Sequence, residues 1–242
     1  MPAAVSGWNS GTGIVLLSLV IPAYNEAGSI GRSVTQVCAY LDRQPYDWEV
    51  IIVIDGGPKA AADEARGAAG QRANVRVLEN DVNRGKGYSV RRGFMEARGE
   101  RMAFIDADLS LPIEGLDEMM ARFDAGADVV IASRTAPGSR VEGAPPAMRD
   151  LMSKVFNLAV QALALSGIAD TQCGFKGFTA RAARTIFGVA QSDRFGFDVE
   201  ALYLARRDGY RIDELPVVVR YHGGSSVNRV SDGVRIDRKS VV

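Results

Sequence analysis

The chain is poor in the residues that most often announce a mechanism. Its 242 residues include one histidine, His222, and two cysteines, Cys38 and Cys173, far apart in sequence. That spacing signals neither a disulfide framework nor a Cys/His zinc site, and a reducing, cytoplasmic compartment is expected. A Ser-His-Asp or Cys-His mechanism would have to rest on His222 alone, which makes it an unattractive reading. No charge of one sign dominates, because 29 Lys and Arg balance 29 Asp and Glu. A global basic field of the kind that draws proteins onto nucleic acid is therefore absent, so no nucleic-acid partner is expected and an anionic ligand must be held by a local cluster. Long apolar runs are missing as well. The longest, Ile14 to Ala23, has about ten residues where a bilayer crossing needs roughly 20, and it lacks the cleavage site of a signal peptide. The expectation is that nothing in this chain spans a membrane by itself.

What is present is a strong alternation. With 47% hydrophobic residues the chain can bury a substantial core, and one domain over residues 1–242 is expected, with a core from about residue 14 to 226 and a polar tail. Leu16 to Pro22, Glu49 to Asp55, Val75 to Glu79, Met102 to Asp106 and Val129 to Ser133 are continuous Val/Ile/Leu-rich runs that read as buried strands. Between them Ser29 to Arg43, Ala60 to Gly67, Lys86 to Arg98 and Ile113 to Asp124 have helical periodicity. Strand and helix alternating in this way predict an α/β fold with a mostly parallel, Rossmann-like sheet covered on both faces, and ligands at the carboxyl ends of its strands. The second half reads differently: a Pro/Gly/Arg loop (Arg134 to Pro146), a long helix (Ala147 to Leu165), a Gly-rich turn through Gly174, helices near Ala180 to Phe187 and Val199 to Arg207, and a last strand, Ile212 to Val219. It is expected to complete the same domain and cover its rim.

Polar residues collect at the predicted strand ends. Asp106-Ala-Asp108 follows Met-Ala-Phe-Ile, so two carboxylates arrive at i and i+2 where the backbone turns away. Such a pair repels unless a cation lies between, and hard oxygens with open positions suit Mg2+ or Mn2+ holding a diphosphate. The alternative is a turn with an Asp cap. Pro22-Ala-Tyr-Asn-Glu26 ends the first strand, where an aromatic ring, an amide and a carboxylate can stack on and bond a nucleobase; otherwise Asn25 or Ser29 merely caps a helix. Asn83-Arg-Gly-Lys-Gly87 opens a helix, offering backbone N–H groups and Lys86 to an anion, although a solvated first turn is the commoner explanation. Arg134, Arg149 and Lys176 lie on segments expected to border the rim, where an Arg can bind phosphate through two parallel bonds; singly, each is most often a surface charge.

Taken in order, Pro22-Ala-Tyr-Asn-Glu26, Asp55-Gly56, Asn83-x-Gly-Lys-Gly87, Asp106-Ala-Asp-Leu-Ser110, Ser133-Arg134, Asp170-Thr-Gln-Cys-Gly-Phe-Lys176 and Phe197-Asp-Val-Glu200 resemble family 2 glycosyltransferases of the GT-A fold over about Leu17 to Ser226. The likeness is greatest to dolichyl-phosphate glucosyltransferases and their bacterial polyprenyl-phosphate relatives. The resemblance implies that Pro22, Tyr24, Glu26 and Asp55 line the base and ribose pocket and that Lys86 approaches the donor. It implies that Asp106 and Asp108 hold the metal, and that Arg134, Arg149 and Lys176 receive an acceptor phosphate. Asp198 occupies the position of the catalytic base in relatives with hydroxyl acceptors; the alternative is a helix N-terminal carboxylate stabilised by the dipole. Two positions depart from the pattern: Ile54 stands where the family usually has the first Asp of Asp-Asp-Gly-Ser, and Gly57 replaces the Ser.

The activity implied is inverting transfer of a hexose from a nucleoside-diphosphate sugar, UDP-glucose-like, to a polyprenyl or dolichyl phosphate. Transfer to a soluble hydroxyl acceptor is the second reading, and a non-catalytic nucleotide-sugar binder the third. An alkyl phosphate has a second pKa near 6 and is already largely anionic at neutral pH, whereas a hydroxyl needs a base. The Arg/Lys-containing tail from Val227 to Val242 reads either as a peripheral contact to an anionic membrane surface or as a disordered end.

Overall fold

The computed structural model describes residues 15–142, 165, 167–168 and 170–220. The helix expected over Ala147 to Leu165, together with Arg149, His222 and the tail, falls outside these apart from Leu165. Five expected strands are present: β1 (Leu17–Ala23), β2 (Trp48–Ile54), β3 (Val75–Glu79), β4 (Arg101–Ile105) and β5 (Val129–Ser133). Four helices intervene: α1 (Ile30–Leu41), α2 (Lys59–Ala69), α3 (Lys86–Glu96) and α4 (Gly115–Asp124). Every residue of β1, β2 and β5 is buried, because helices cover both faces and the side chains alternate between them. Leu17, Leu19 and Ile21 join Ile30, Val34, Ala62 and Leu116 in one core; Val20, Ile51 and Phe104 join Val90, Phe94 and Phe178 in the other.

The second half adds elements that the residues alone did not announce. β6 (Arg140–Glu142) lies inside the expected Pro/Gly/Arg loop, and the last strand divides into β8 (Ile212–Pro216) and β9 (Val218–Arg220), which pairs with β6. More consequential is β7 (Phe175–Thr179), which follows the Gly-rich turn expected through Gly174 in a stretch where no element was expected. It enters between β4 and β5, antiparallel to both, in a sheet of order β3-β2-β1-β4-β7-β5-β8 that is otherwise parallel. Lys176 and Gly177 conceal this strand from a hydrophobicity pattern, yet Lys176 is fully buried in it. Two further helices follow, α5 (Ala180–Val189), capped by the Thr179 hydroxyl, and α6 (Phe197–Arg207). Among the described residues no helix is long and apolar enough to cross a membrane.

At the edge of the sheet opposite the carboxyl ends, a buried carboxylate ties the strand starts together. Glu49 accepts bonds from the Ser18 hydroxyl (2.6 Å), the Arg98 backbone N–H (2.7 Å), the Arg98 guanidinium and Arg76. Burial pushes its carboxyl up, but the Ser18 hydroxyl and the Arg98 N–H groups outweigh burial and hold it below the usual glutamate range. A depressed folded value gives stability that is present above the unfolded value of about 4.3 and lost as pH falls below it. Glu49→Gln is therefore expected to cost about 1.5 to 3 kcal/mol at neutral pH, the worth of hydrogen bonds to a charged group. It should also flatten the acid limb of stability. Urea unfolding of both forms from pH 7 down to pH 3 checks this; parallel curves would refute it.

Candidate active site

Three strand ends and one inserted strand build the site. After β1, Tyr24 is 55% exposed while Pro22 is buried within the strand. Asn25 takes a left-handed backbone (φ 57°), a conformation its short amide tolerates. Glu26 is partly buried and its Oε2 accepts the Ser29 hydroxyl at 2.8 Å, so Ser29 stands at the N-terminus of α1 without capping it through its side chain. The Tyr24 ring lies beside Gly57, whose Cβ, were there one, would sit 3.8 Å from it. Gly57 thus leaves bare backbone next to an exposed aromatic face.

Asp55 was expected in the nucleoside pocket, and the structure gives it other work. It is 3% exposed, and its two oxygens accept the Asn80 amide (2.7 Å) and the backbone N–H groups of Arg84 (2.9 Å) and Gly85 (2.7 Å). It is an anchor for the loop that opens α3 rather than an exposed ligand group. Asn80, which nothing in the spacing singled out, completes this anchor by also bonding the Ser89 hydroxyl. Ile54, the departure beside it, is part of the core.

The anchored loop delivers Lys86 to the end of β4. Its ammonium lies 2.5 Å from Asp106 Oδ1 and 5.3 Å from the centre of the Phe104 ring. Asp106 is partly buried and its backbone N–H continues the β4–β7 ladder to Gly174 (3.1 Å). A Cβ on Gly174 would sit 1.8 Å from Asp106 Oδ2, so only glycine lets β7 begin against this carboxylate. Asp108 is exposed, and its Oδ1 accepts the Ser110 N–H at 3.0 Å in the turn that follows. The expected neighbours Lys86, Asp106 and Asp108 are thus brought to one strand end.

Lys176 requires a correction. Expected to meet an acceptor phosphate, it is 0% exposed on β7, opposite Phe104 in the register. Its ammonium is 2.5 Å from Asp198 Oδ1 and donates to the Cys173 carbonyl at 2.6 Å. The pair is a buried support joining β7 to the first turn of α6, and it occupies both the expected phosphate ligand and the expected base. Arg134 is likewise engaged: its Nε and one terminal nitrogen bond the two oxygens of Asp170 at 2.7 and 2.8 Å, and its backbone N–H adds a third bond. Burial raises the Asp170 carboxyl, yet the Arg134 guanidinium outweighs burial and holds it below the usual aspartate range. Cys173 between them is pushed up to about 12, first by burial and then by Asp170, and stays a neutral thiol without nucleophilic character. Asp170-Thr-Gln-Cys-Gly-Phe-Lys176 is therefore the spine of the site: each end supplies one member of an ion pair, and Gly174 makes room for Asp106.

A loop between α5 and α6 closes one side. Glu200 accepts the backbone N–H groups of Gln191 and Ser192, and the Asp193 carbonyl accepts Tyr88 N–H at 2.9 Å. Contact is so close that a Cβ on Gly85 would lie 2.4 Å from the Asp193 carbonyl oxygen, which explains the glycine before Lys86. Arg91 bonds Asp193 and the Ala190 carbonyl from α3. The loop and its acidic anchors, Asp193 and Glu200, carried no signal that composition or spacing could have revealed beyond the Phe-Asp-Val-Glu string itself.

Carboxylates at the end of a parallel strand, an adjoining lysine on a glycine-flanked helix start and an exposed tyrosine over bare backbone together define a nucleotide-sugar transferase architecture of the GT-A type. Residues 18–187 match the family described as Glycosyl transferase family 2, and the chain belongs to that family. Among curated proteins it is 32% identical over 217 residues to "Dolichyl-phosphate beta-glucosyltransferase ALG5C" of Trichomonas vaginalis, covering 84% of this chain and 63% of that protein. It is 30% identical over 241 residues to "Dolichyl-phosphate beta-glucosyltransferase" of Dictyostelium discoideum, covering 94% and 73%. The chain thus spans less than two thirds of the first of these relatives. Among solved structures, glucosyl-3-phosphoglycerate synthase of Mycobacterium tuberculosis, in a complex with Mn2+, UDP and glucosyl-3-phosphoglycerate, superposes with a TM-score of 0.66 at 18% identity, covering 90% of this chain and 75% of that one. That likeness speaks to the fold.

Proposed function

We propose that this chain transfers a hexose, with inversion, from a UDP-glucose-like donor to a polyprenyl or dolichyl phosphate. The observation that carries the acceptor class is the buried Lys176–Asp198 pair. Asp198 is 5% exposed and bonded to an ammonium, and taking up an acceptor proton would leave that ammonium buried beside a neutral acid. An acceptor that arrives as a phosphate anion needs no such base. The names of the curated relatives support the same acceptor.

A divalent cation, Mg2+ or Mn2+, fits the carboxylates of Asp106 and Asp108, which are hard oxygen donors at an open strand end. No group of three or more His, Cys, Asp or Glu side chains gathers among the described residues. That suits an ion whose remaining positions are filled by donor phosphates and water. Bound there, the cation would offset charge on the departing nucleoside diphosphate. Lys86 would exchange its bond to Asp106 for a donor phosphate, and Tyr24 would stack on the base above Gly57. Arg134, held by Asp170, and Arg149 are proposed to border the acceptor phosphate. Peripheral contact with a membrane surface through the basic tail is part of the same proposal.

Asp198→Asn tests the acceptor. With a polyprenyl phosphate the variant is expected to keep substantial turnover at a temperature where it stays folded. A hydroxyl acceptor deprived of its base would lose about a hundredfold or more. If the wild type ignores lipid phosphates, glycosylates a soluble alcohol and loses that reaction in Asp198→Asn, the second reading stands instead.

A further inference from the structure

The loop between β1 and α1 carries Tyr24 and Glu26, yet it has little of its own to hold it. Tyr24, Asn25, Ala27 and Gly28 are exposed, and Asn25 and Gly28 both take left-handed backbone (φ 57° and 88°). α1 also begins without help from its own residues: Ser29 makes no side-chain cap, and the first turn contains no acid. The missing acceptor comes from the neighbouring helix. Glu64, in the body of α2, accepts the Gly28 backbone N–H at 2.6 Å on one carboxylate oxygen and the Gly31 N–H at 3.0 Å on the other. Both amides lie at a helix N-terminus, where free N–H groups and the helix dipole favour a carboxylate. Gly31 is shaped for this contact, since a Cβ there would fall 2.9 Å from Glu64 Cγ.

α2 thereby reaches the same loop from two directions. Gly57, just before α2, lies beside the Tyr24 ring, and Glu64 ties down the residues that follow that ring. The helix itself is fixed, because Ala61, Ala62 and Ala65 of α2 share one core with Ile30 and Val34 of α1. A single packed element therefore sets the Tyr24 loop relative to the bare backbone next to it.

On the transferase reading above, we infer that Glu64 is a positioning residue for the nucleoside part of the donor. It acts through the loop rather than on the ligand, holding Tyr24 and Glu26 where they meet base and ribose. Without its two bonds the loop takes other positions, and the apparent dissociation constant rises in inverse proportion to the fraction that stays competent. A diphosphate gripped at the end of β4 and the start of α3 would not sense the change.

The test is calorimetric titration of wild type, Glu64→Ala, Glu64→Gln and Gly31→Ala with UDP plus Mn2+ and with inorganic pyrophosphate plus Mn2+, at a temperature where all are folded. Glu64→Ala should weaken UDP binding about tenfold, as when about a tenth of the loop population stays competent, and should leave pyrophosphate binding within about twofold. Gly31→Ala, which displaces the carboxylate without removing it, should act in the same direction, and Glu64→Gln, which keeps one acceptor oxygen, should lose less. The donor KM should rise by about the same tenfold while kcat at saturating donor changes by less than about threefold. Hydrogen exchange at the Gly28 and Gly31 amides should accelerate in Glu64→Ala. If Glu64→Ala does not fold, Gly31→Ala and Glu64→Gln carry the same comparison. Unchanged UDP affinity alongside faster exchange would reduce Glu64 to a structural cap and overturn the inference. Equal weakening of UDP and pyrophosphate would overturn it too, as would unchanged exchange at the two amides. A wild type that does not bind UDP would overturn the transferase reading and this inference together.

Discussion

Asp108→Ala is expected to reduce sugar transfer by about a thousandfold, corresponding to about 4 kcal/mol of transition-state stabilisation of the kind a bound metal supplies. The fold should survive. Asp108 is exposed, and its side chain accepts a local bond from Ser110 N–H, worth about 1 kcal/mol at most. Transfer rate in Mn2+ and melting temperature, measured on the same preparation, separate the two effects. Wild type in excess chelator should fall to the same residual rate. Full activity of the variant, or of chelated wild type, would remove the metal from the mechanism.

The second large effect is on stability. Lys176→Met keeps the volume at a fully buried position of β7 but leaves the Asp198 carboxylate without its ammonium. Breaking a buried pair by removing one partner costs about 3 to 5 kcal/mol, whereas replacing both by apolar groups is often neutral. Lys176→Met should therefore lower the urea midpoint sharply, and Lys176→Met/Asp198→Leu should recover most of that loss. Neither residue is near solvent, at 0% and 5% exposure, so screening by water offers no escape. A single variant that costs less than about 1 kcal/mol would show that the pair is not charge-compensated as its 2.5 Å contact indicates. The outcome also bears on catalysis, because a carboxylate that supports β7 is poorly placed to accept protons.

Much of this was legible in order of residues. The continuous apolar runs located β1 to β5, with β3 and β5 at their expected limits; β5 is buried throughout, as a strand covered on both faces must be. Asp106 and Asp108 were legible because two carboxylates at a strand end have few uses. Lys86 was legible because the glycines flanking it mark a turn into a helix. α6 begins at Phe197 rather than at Val199, and those two residues place Asp198 inside the first helical turn.

Tertiary structure decided the rest. β7 could not be read from Phe175-Lys-Gly-Phe-Thr179, because a lysine is admitted to a sheet interior only when an acid from a distant helix meets it, and Asp198 lies 22 residues away. The fate of Asp55 followed from Asn80, Arg84 and Gly85, a loop that arrives after β3 and consumes both carboxylate oxygens. Arg134 turned out to be paired because β5 ends beside Asp170, 36 residues later. By itself the sequence determined which side chains with chemistry stand at the strand ends, since periodicity and turn residues are local properties. Which of those charges are spent on one another, and which are left for a ligand, is a property of contacts between segments far apart in the chain, and only folding brings those segments together.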